Sequence, residues 1–265
     1  MKTSNHLLRR LTAALLAAVL ALSIALPVFA SDDGDTIYIN SVSDLLSLAR
    51  SCAYDQWSVG KTVILQKDLS LEGMLWEPIP SFSGQFKGNG HTISDLTITG
   101  QYSPAGLFGI VEEQGSIESL SVRGVVSVSD SADTTTGGIA GINHGILISC
   151  QFTGVVTGDS EVGGIVGRNE SEGTIDHSTA RAIVTGKSST GGIAGYNLGA
   201  ITGCTNVGSI NTEYPEASLD TDGFTAKMVD YINNKMAAAD DDATNSVTNV
   251  ATDTGGIAGR SSGMI

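Results

Sequence analysis

The sequence predicts an all-β fold, a right-handed parallel β-helix with an N-terminal cap helix and one helical insertion, and three observations point to it. First, a glycine-rich pattern recurs as Ala105-Gly106-Leu107-Phe108-Gly109, Gly137-Gly138-Ile139-Ala140-Gly141, Gly163-Gly164-Ile165-Val166-Gly167, Gly191-Gly192-Ile193-Ala194-Gly195 and Gly255-Gly256-Ile257-Ala258-Gly259. Second, the first four starts lie 32, 26 and 28 residues apart, while a nine-residue step from Gly115, Gly145, Gly173 or Gly199 to Gly124, Gly154, Ala182 or Gly208 never changes. A rigid element joined by variable loops reads this way. Third, Val125-Val126-Ser127-Val128, Val155-Val156-Thr157 and Ile183-Val184-Thr185 are β-branched and too short for helices.

A lone unit of this size cannot bury its apolar face, so the units must stack, with equivalent residues roughly 4.8 Å apart in columns. One column holds Leu107, Ile139, Ile165, Ile193 and Ile257, and another Ile117, Leu147, Ile175 and Ile201; both suit the interior. Repeated glycines imply corners, because a mid-strand glycine weakens a sheet unless φ is positive or a neighbour comes close. A third column, Asn143, Asn169 and Asn197, is open to two readings. The amides bond along the stack as a ladder, or they sit in turns that asparagine tolerates.

A fourth column reads Leu120, Cys150, Ser178 and Cys204. With one unit per coil, Cys150 and Cys204 stand roughly 9.6 Å apart, beyond disulfide reach, so both are expected as reduced core thiols. Cys52 completes a set of three with no C-x-x-C, which argues against a disulfide framework or a zinc ribbon.

An open stack needs caps. Val42, Leu45, Leu46, Ala49 and Cys52 share one helical face, and Ser41 and Asp44 are placed like a capping box. A helix lying on the flank of the solenoid is the competing reading. Residues 31–100 therefore read as cap and first coils, 101–211 as repeat coils and 212–254 as an insertion. A helix is expected near 222–239, where Phe224, Met228, Tyr231, Ile232 and Met236 trace one face before Asp240-Asp241-Asp242 ends it. Long loops often carry function, which makes this insertion a place to look for a partner surface. Residues 255–265 begin a fifth repeat that stops unfinished.

Residues 1–30 read as a secretory signal: Lys2, Arg9 and Arg10, an apolar run from Leu11 to Leu26, then Val28-Phe29-Ala30. Beyond it the 265-residue chain has 11 basic and 28 acidic residues, a net charge of 11 − 28 = −17. That charge argues against nucleic acid as partner, and no further apolar segment suggests membrane insertion after cleavage.

No catalytic set is evident. His91, His144 and His177 occupy different unit positions and there is no H-E-x-x-H. No cofactor is expected. The weak metal candidates are Asp130 and Asp133 with Asp159 and Glu161 on the next coil, which offer oxygens to Ca²⁺, although solvated acidic loops are the commoner case. The basic residues Arg123, Arg168, Arg181, Lys187 and Arg260 are few for the charged groove of a polysaccharide-cleaving β-helix, and both tryptophans, Trp57 and Trp76, precede the repeats.

The pattern G-G-I-A-G-x-N-x-G-x-I, followed by a cysteine and a glycine, resembles the GLUG motif of secreted bacterial proteins, among them surface adhesins and the N-terminal regions of immunoglobulin-A metalloendopeptidases. The stretch Trp76-Glu77-Pro78-Ile79, Phe82, Phe86, Gly88-Asn89-Gly90-His91-Thr92-Ile93 and Leu96 is similar to what precedes the first motif in that group. The first repeat departs from it, with Ala105 and Val111 at the glycine and asparagine positions. The resemblance implies an extracellular β-solenoid with no single activity. The expected role is therefore a non-catalytic surface protein for adhesion, spacing or binding of a protein or glycan ligand. The alternative is the N-terminal module of a longer secreted metallopeptidase or glycan-active enzyme.

Overall fold

A computed structural model describes residues 35–54, 56–128, 134–211 and 254–265. The signal segment, Asp130, Asp133 and the insertion with its expected helix lie outside the described residues. Strand β1 (Thr36–Ile39) leads through helix α1 (Val42–Ser51) into a first coil of β2 (Thr62–Leu65), β3 (Leu69–Ser70) and β4 (Ile79–Phe82). The second coil is β5 (Gln85–Lys87), β6 (Thr92–Gly100) and β7 (Phe108–Val111). A fourth strand enters in the third coil: β8 (Ser116–Glu118), β9 (Ser121–Val128), β10 (Thr135–Gly137) and β11 (Ala140–Asn143). The fourth repeats it as β12 (Ile146–Ile148), β13 (Gln151–Thr157), β14 (Glu161–Gly163) and β15 (Val166–Asn169). The fifth is β16 (Thr174–Asp176), β17 (Thr179–Thr185), β18 (Thr190–Gly191) and β19 (Ala194–Asn197). The sixth comprises β20 (Ala200–Thr202), β21 (Thr205–Asn206), β22 (Ser209–Ile210), β23 (Thr254–Gly255) and β24 (Ala258–Ser261).

Corresponding strands pair in parallel, giving a first sheet β1-β2-β5-β8-β12-β16-β20 and a second that runs from β3 through β6, β9, β13 and β17 to β21. The third sheet runs from β4 through β7, β11, β15 and β19 to β24, and the fourth is β10-β14-β18-β23. The chain is a β-solenoid with one repeat unit per coil, since Ala140 pairs with Phe108 on one side and Val166 on the other, and Val166 with Ala194.

The interior columns follow the expected register and extend further upstream. Ile37, Val63, Phe86, Ile117, Leu147, Ile175 and Ile201 stack through the first sheet. Leu107, Ile139, Ile165 and Ile193 are fully buried, and their backbones bond coil to coil, Ile139 N to Ile165 O at 2.9 Å and Ile165 N to Ile193 O at 3.0 Å. Near the first coils the rings of Phe82, Phe86 and Phe108 fill the core, Phe86 edge to face with the other two and those two tilted, with centroids 5.4 to 6.3 Å apart.

The glycines of the pattern stand at a corner between the fourth and third sheets, and close approach is what requires them. A Cβ on Gly137, Gly163 or Gly191 would fall on the carbonyl oxygen three residues ahead, that of Ala140, Val166 or Ala194. The last glycine of the pattern lets the fourth sheet lie against the third: a Cβ on Gly167 would stand 2.5 Å from Thr136 N.

Helix α1 closes the stack, because it packs on β1 and β4, the first strands of two different sheets. Ser41 Oγ accepts from Asp44 N at 3.2 Å, whereas Asp44 Oδ2 accepts from Asn40 N at 3.0 Å, so the capping box reaches one residue further back than the sequence spacing suggests. That amide is the main reason the Asp44 carboxyl lies below its usual range. Leu45 and Leu48 are the buried helix residues, while Leu46 and Ala49, expected on the inner face, are only partly covered.

Candidate functional site

Inside the coils, the asparagine column is a hydrogen-bonded ladder. Asn143 Nδ2 donates to Asn169 Oδ1 at 2.8 Å, and Asn169 Nδ2 to Asn197 Oδ1 at 2.8 Å. Each amide also donates across its own turn, to the carbonyls of Gly145, Gly173 and Gly199. None of the three asparagines has a positive φ, which removes the left-handed turn reading. Instead Ser119, Ser149 and His177 adopt that conformation at the turn between the first and second sheets.

Beside that turn, Ser178 separates the two cysteines, its Oγ accepting from Cys150 N at 3.1 Å and its N–H reaching Cys204 Sγ at 3.4 Å. All three cysteines are free thiols. Burial pushes Cys150 up to about 12 and Cys52 up to about 11. Cys204, expected in the core, is only half-buried, because it sits between β20 and β21, the last strands of their two sheets among the described residues; burial still raises its pKa.

The acidic candidates that are described have cationic partners. Asp159 pairs with Lys187, and Glu161 with Arg168 at 3.0 Å. Burial raises the Glu161 pKa, and the Arg168 charge opposes that shift. Arg168 Nε also lies 2.7 Å from Glu170 Oε1, close enough for an ion pair but without good hydrogen-bond alignment. Arg168, Tyr196 and Arg260 are register neighbours on the outer face of the third sheet, so both guanidinium groups stack on the one ring, at 5.0 and 5.6 Å from its centroid. Among the described residues, no group of three or more His, Cys, Asp or Glu side chains is arranged to hold a metal.

A second outward cluster forms where the first coils meet the second sheet, and the sequence reading missed it. Strand β6 carries a bulge: Ile93 pairs with Val122 and Leu96 with Gly124, so Ser94 and Asp95 together oppose Arg123. Asp95 takes a left-handed φ of 60°, and its Oδ2 accepts from Ser70 Oγ at 2.6 Å and Ser94 Oγ at 2.8 Å. One strand away, Asp68 Oδ1 accepts from Thr92 N at 2.9 Å and lies 3.2 Å from His91 Nδ1. The Thr92 amide chiefly holds the Asp68 carboxyl down, with help from His91 and the Arg123 charge. The available signal was the apolar spacing: Ile93 to Leu96 is three, Leu96 to Ile98 two, and the odd step marks an inserted residue.

Stacked parallel coils with filled interior columns make this chain a β-solenoid, and one stretch of it matches a known repeat. The family model described as the GLUG motif matches residues 158–185, from the loop after β13 in the fourth coil through β17 in the fifth. Among characterised sequences the chain is similar to halomucin of Haloquadratum walsbyi, 30% identical over 155 residues, covering 54% of this chain and 2% of that protein. It is also similar to a protein designated Gly-rich membrane protein from Evansella cellulosilytica, 29% identical over 137 residues, 37% of this chain and 16% of the relative. A crystal structure designated an immunoglobulin A1 protease from Bacteroides ovatus aligns over 69% of this chain and 79% of that one, with TM-score 0.42 and 15% identity. This chain thus spans a small fraction of the two relatives it matches in sequence. No helix among the described residues is long and apolar enough to cross a membrane.

Proposed function

We propose that the protein is a secreted or cell-surface β-solenoid without catalytic activity, a rigid scaffold that presents its outer columns for adhesion or binding outside the cell. The observation that carries this reading is the contrast between columns. Inward positions keep one chemistry through successive coils, as in Ile117, Leu147, Ile175 and Ile201, whereas one outward column reads Ser81, Ile110, Ile142, Arg168, Tyr196 and Arg260. A fold that fixes its interior and lets its surface vary suits display of recognition groups. The signal-like residues 1–30 and the names of the two sequence relatives support the extracellular setting.

The test is expression of the full chain in a bacterial host, with proteinase K applied to intact cells. Loss of the solenoid from intact cells, or its appearance in the medium, is the expected result, and a variant lacking residues 1–30 should be fully protected. Protection of the full chain in intact cells overturns the reading. A solenoid module of a longer secreted enzyme is the competing reading, favoured by how little of each sequence relative the match covers. An in-frame H-E-x-x-H downstream of this segment would decide for it.

A further inference from the structure

We infer that the bulge of β6 forms, with Arg123, a binding site for an uncharged polysaccharide; this rests on the surface-binding reading above and names the ligand class. The bulge is the departure from an otherwise regular register, and it pushes Asp95 out of the sheet in a conformation that non-glycine residues adopt rarely. Bulges re-aim side chains, and here the re-aimed group is a carboxylate set against the next coil's arginine. Two serine hydroxyls hold Oδ2, which orients the carboxylate. Arg123 is exposed, opposes the bulge in register and carries its charge close to Asp68, and among the described residues no carboxylate accepts a hydrogen bond from it.

A carboxylate and a guanidinium on adjacent strands, roughly 4.8 Å apart at the backbone, match what a sugar's neighbouring hydroxyls require. One hydroxyl donates to Asp95 while the other accepts from Arg123, and each does so without a formal charge. Next to them on the same face are Asp68 with His91, and one coil further Thr153 in register with Arg123. Charge decides between glycan classes. Asp68 and Asp95 against Arg123 leave the cluster negative, on a chain of net charge −14, so a carboxylated or sulfated polymer is repelled and a neutral one is not. With no Phe, Tyr or Trp ring in this set of residues, the affinity per site is expected near millimolar, about 1 mM.

Affinity electrophoresis of the full chain through gels containing a neutral β-glucan, a mannan or polygalacturonate tests this. The expected result is retardation by a neutral polymer, weakened about tenfold or more by Asp95→Asn and by Arg123→Gln. Asparagine tolerates the left-handed backbone, so the first variant keeps the fold, and the second changes an exposed side chain. Arg50→Gln, at an exposed position of helix α1, should leave retardation unchanged. Retardation by no neutral polymer, by polygalacturonate alone, or undiminished in both variants overturns the inference. A chain that is shaved from cells yet binds no glycan refutes this inference and leaves the surface reading standing.

Discussion

Asn143 donates its side-chain amide to Asn169 Oδ1 at 2.8 Å, with both residues fully buried, and this bond carries the stack through its centre. Asn169 is the middle rung, donating onward to Asn197 and to its own turn at Gly173 O. Asn169→Ala strips Asn197 Oδ1 of its donor and takes one of the acceptors of Asn143 Nδ2, which keeps Gly145 O, so a loss of about 1–3 kcal/mol is expected. Urea unfolding followed by circular dichroism measures it. A loss below about 1 kcal/mol would mean the ladder is incidental to stability.

The ladder also ends abruptly. Asn143 Oδ1 is buried with no hydrogen-bond partner, and its register neighbour on the previous coil is Val111. Val111→Thr places a hydroxyl at the position from which the ladder would continue. This substitution should be neutral or stabilising by about 1 kcal/mol. The same change at Val126, buried in the apolar column of the second sheet, should cost about 1–3 kcal/mol because its hydroxyl lacks that acceptor. Equal losses at the two positions, compared by urea midpoint, would refute a special role for the orphaned oxygen.

Much of this interior was legible before any coordinates. The invariant nine-residue step brings Ser116 opposite Ile146 and Gly124 opposite Gly154 in the same pair of coils, because a rigid strand pair tolerates no insertion. The fourth sheet escaped notice: Thr135-Thr136, Glu161-Val162 and Thr190 give strands of two or three residues with no shared apolar signal. Position alone could not choose between a ladder and a turn at Asn143, since that depends on φ and on amide direction. The Asp95 cluster draws on residues from Asp68 to Arg123 that come together only when coils stack. The ion pair of Lys187 with Asp159, which joins the fifth coil to the fourth, was hidden for the same reason.

The thiols predict a dependence on pH. Burial raises Cys150 to about 12 and Cys52 to about 11, from the ordinary thiol value of 9.0. The folded state therefore holds its protons more tightly than the unfolded chain, so this stability is fully present below about pH 8.5 and is lost as pH rises through 11 to 12. The urea midpoint should fall between pH 9 and pH 11, and Cys150→Ala should flatten that fall. In native protein at pH 8, mass spectrometry after iodoacetamide should find Cys204 modified first and Cys150 only on unfolding. Labelling of Cys150 as fast as Cys204 would contradict the packing around it.

On the outer face, Tyr196 is a ring shared by two guanidinium groups, and the two contacts are not equivalent. Arg168 is held from the side by Glu161 and Glu170, so its position is fixed before it meets the ring. Arg260 is exposed and, among the described residues, has the ring as its recorded partner. Tyr196→Phe keeps the π face and should change stability by less than about 0.5 kcal/mol, whereas Tyr196→Leu removes both contacts and should cost about 1–2 kcal/mol. Because Arg168 is anchored, Arg260→Gln alone should cost less than Tyr196→Leu, and the remainder measures the Arg168 contact. A double-mutant cycle between positions 196 and 260 isolates the coupling. A coupling of zero would make the column a coincidence of register; a coupling of about 0.5–1 kcal/mol would make it part of what holds the last coil on the stack.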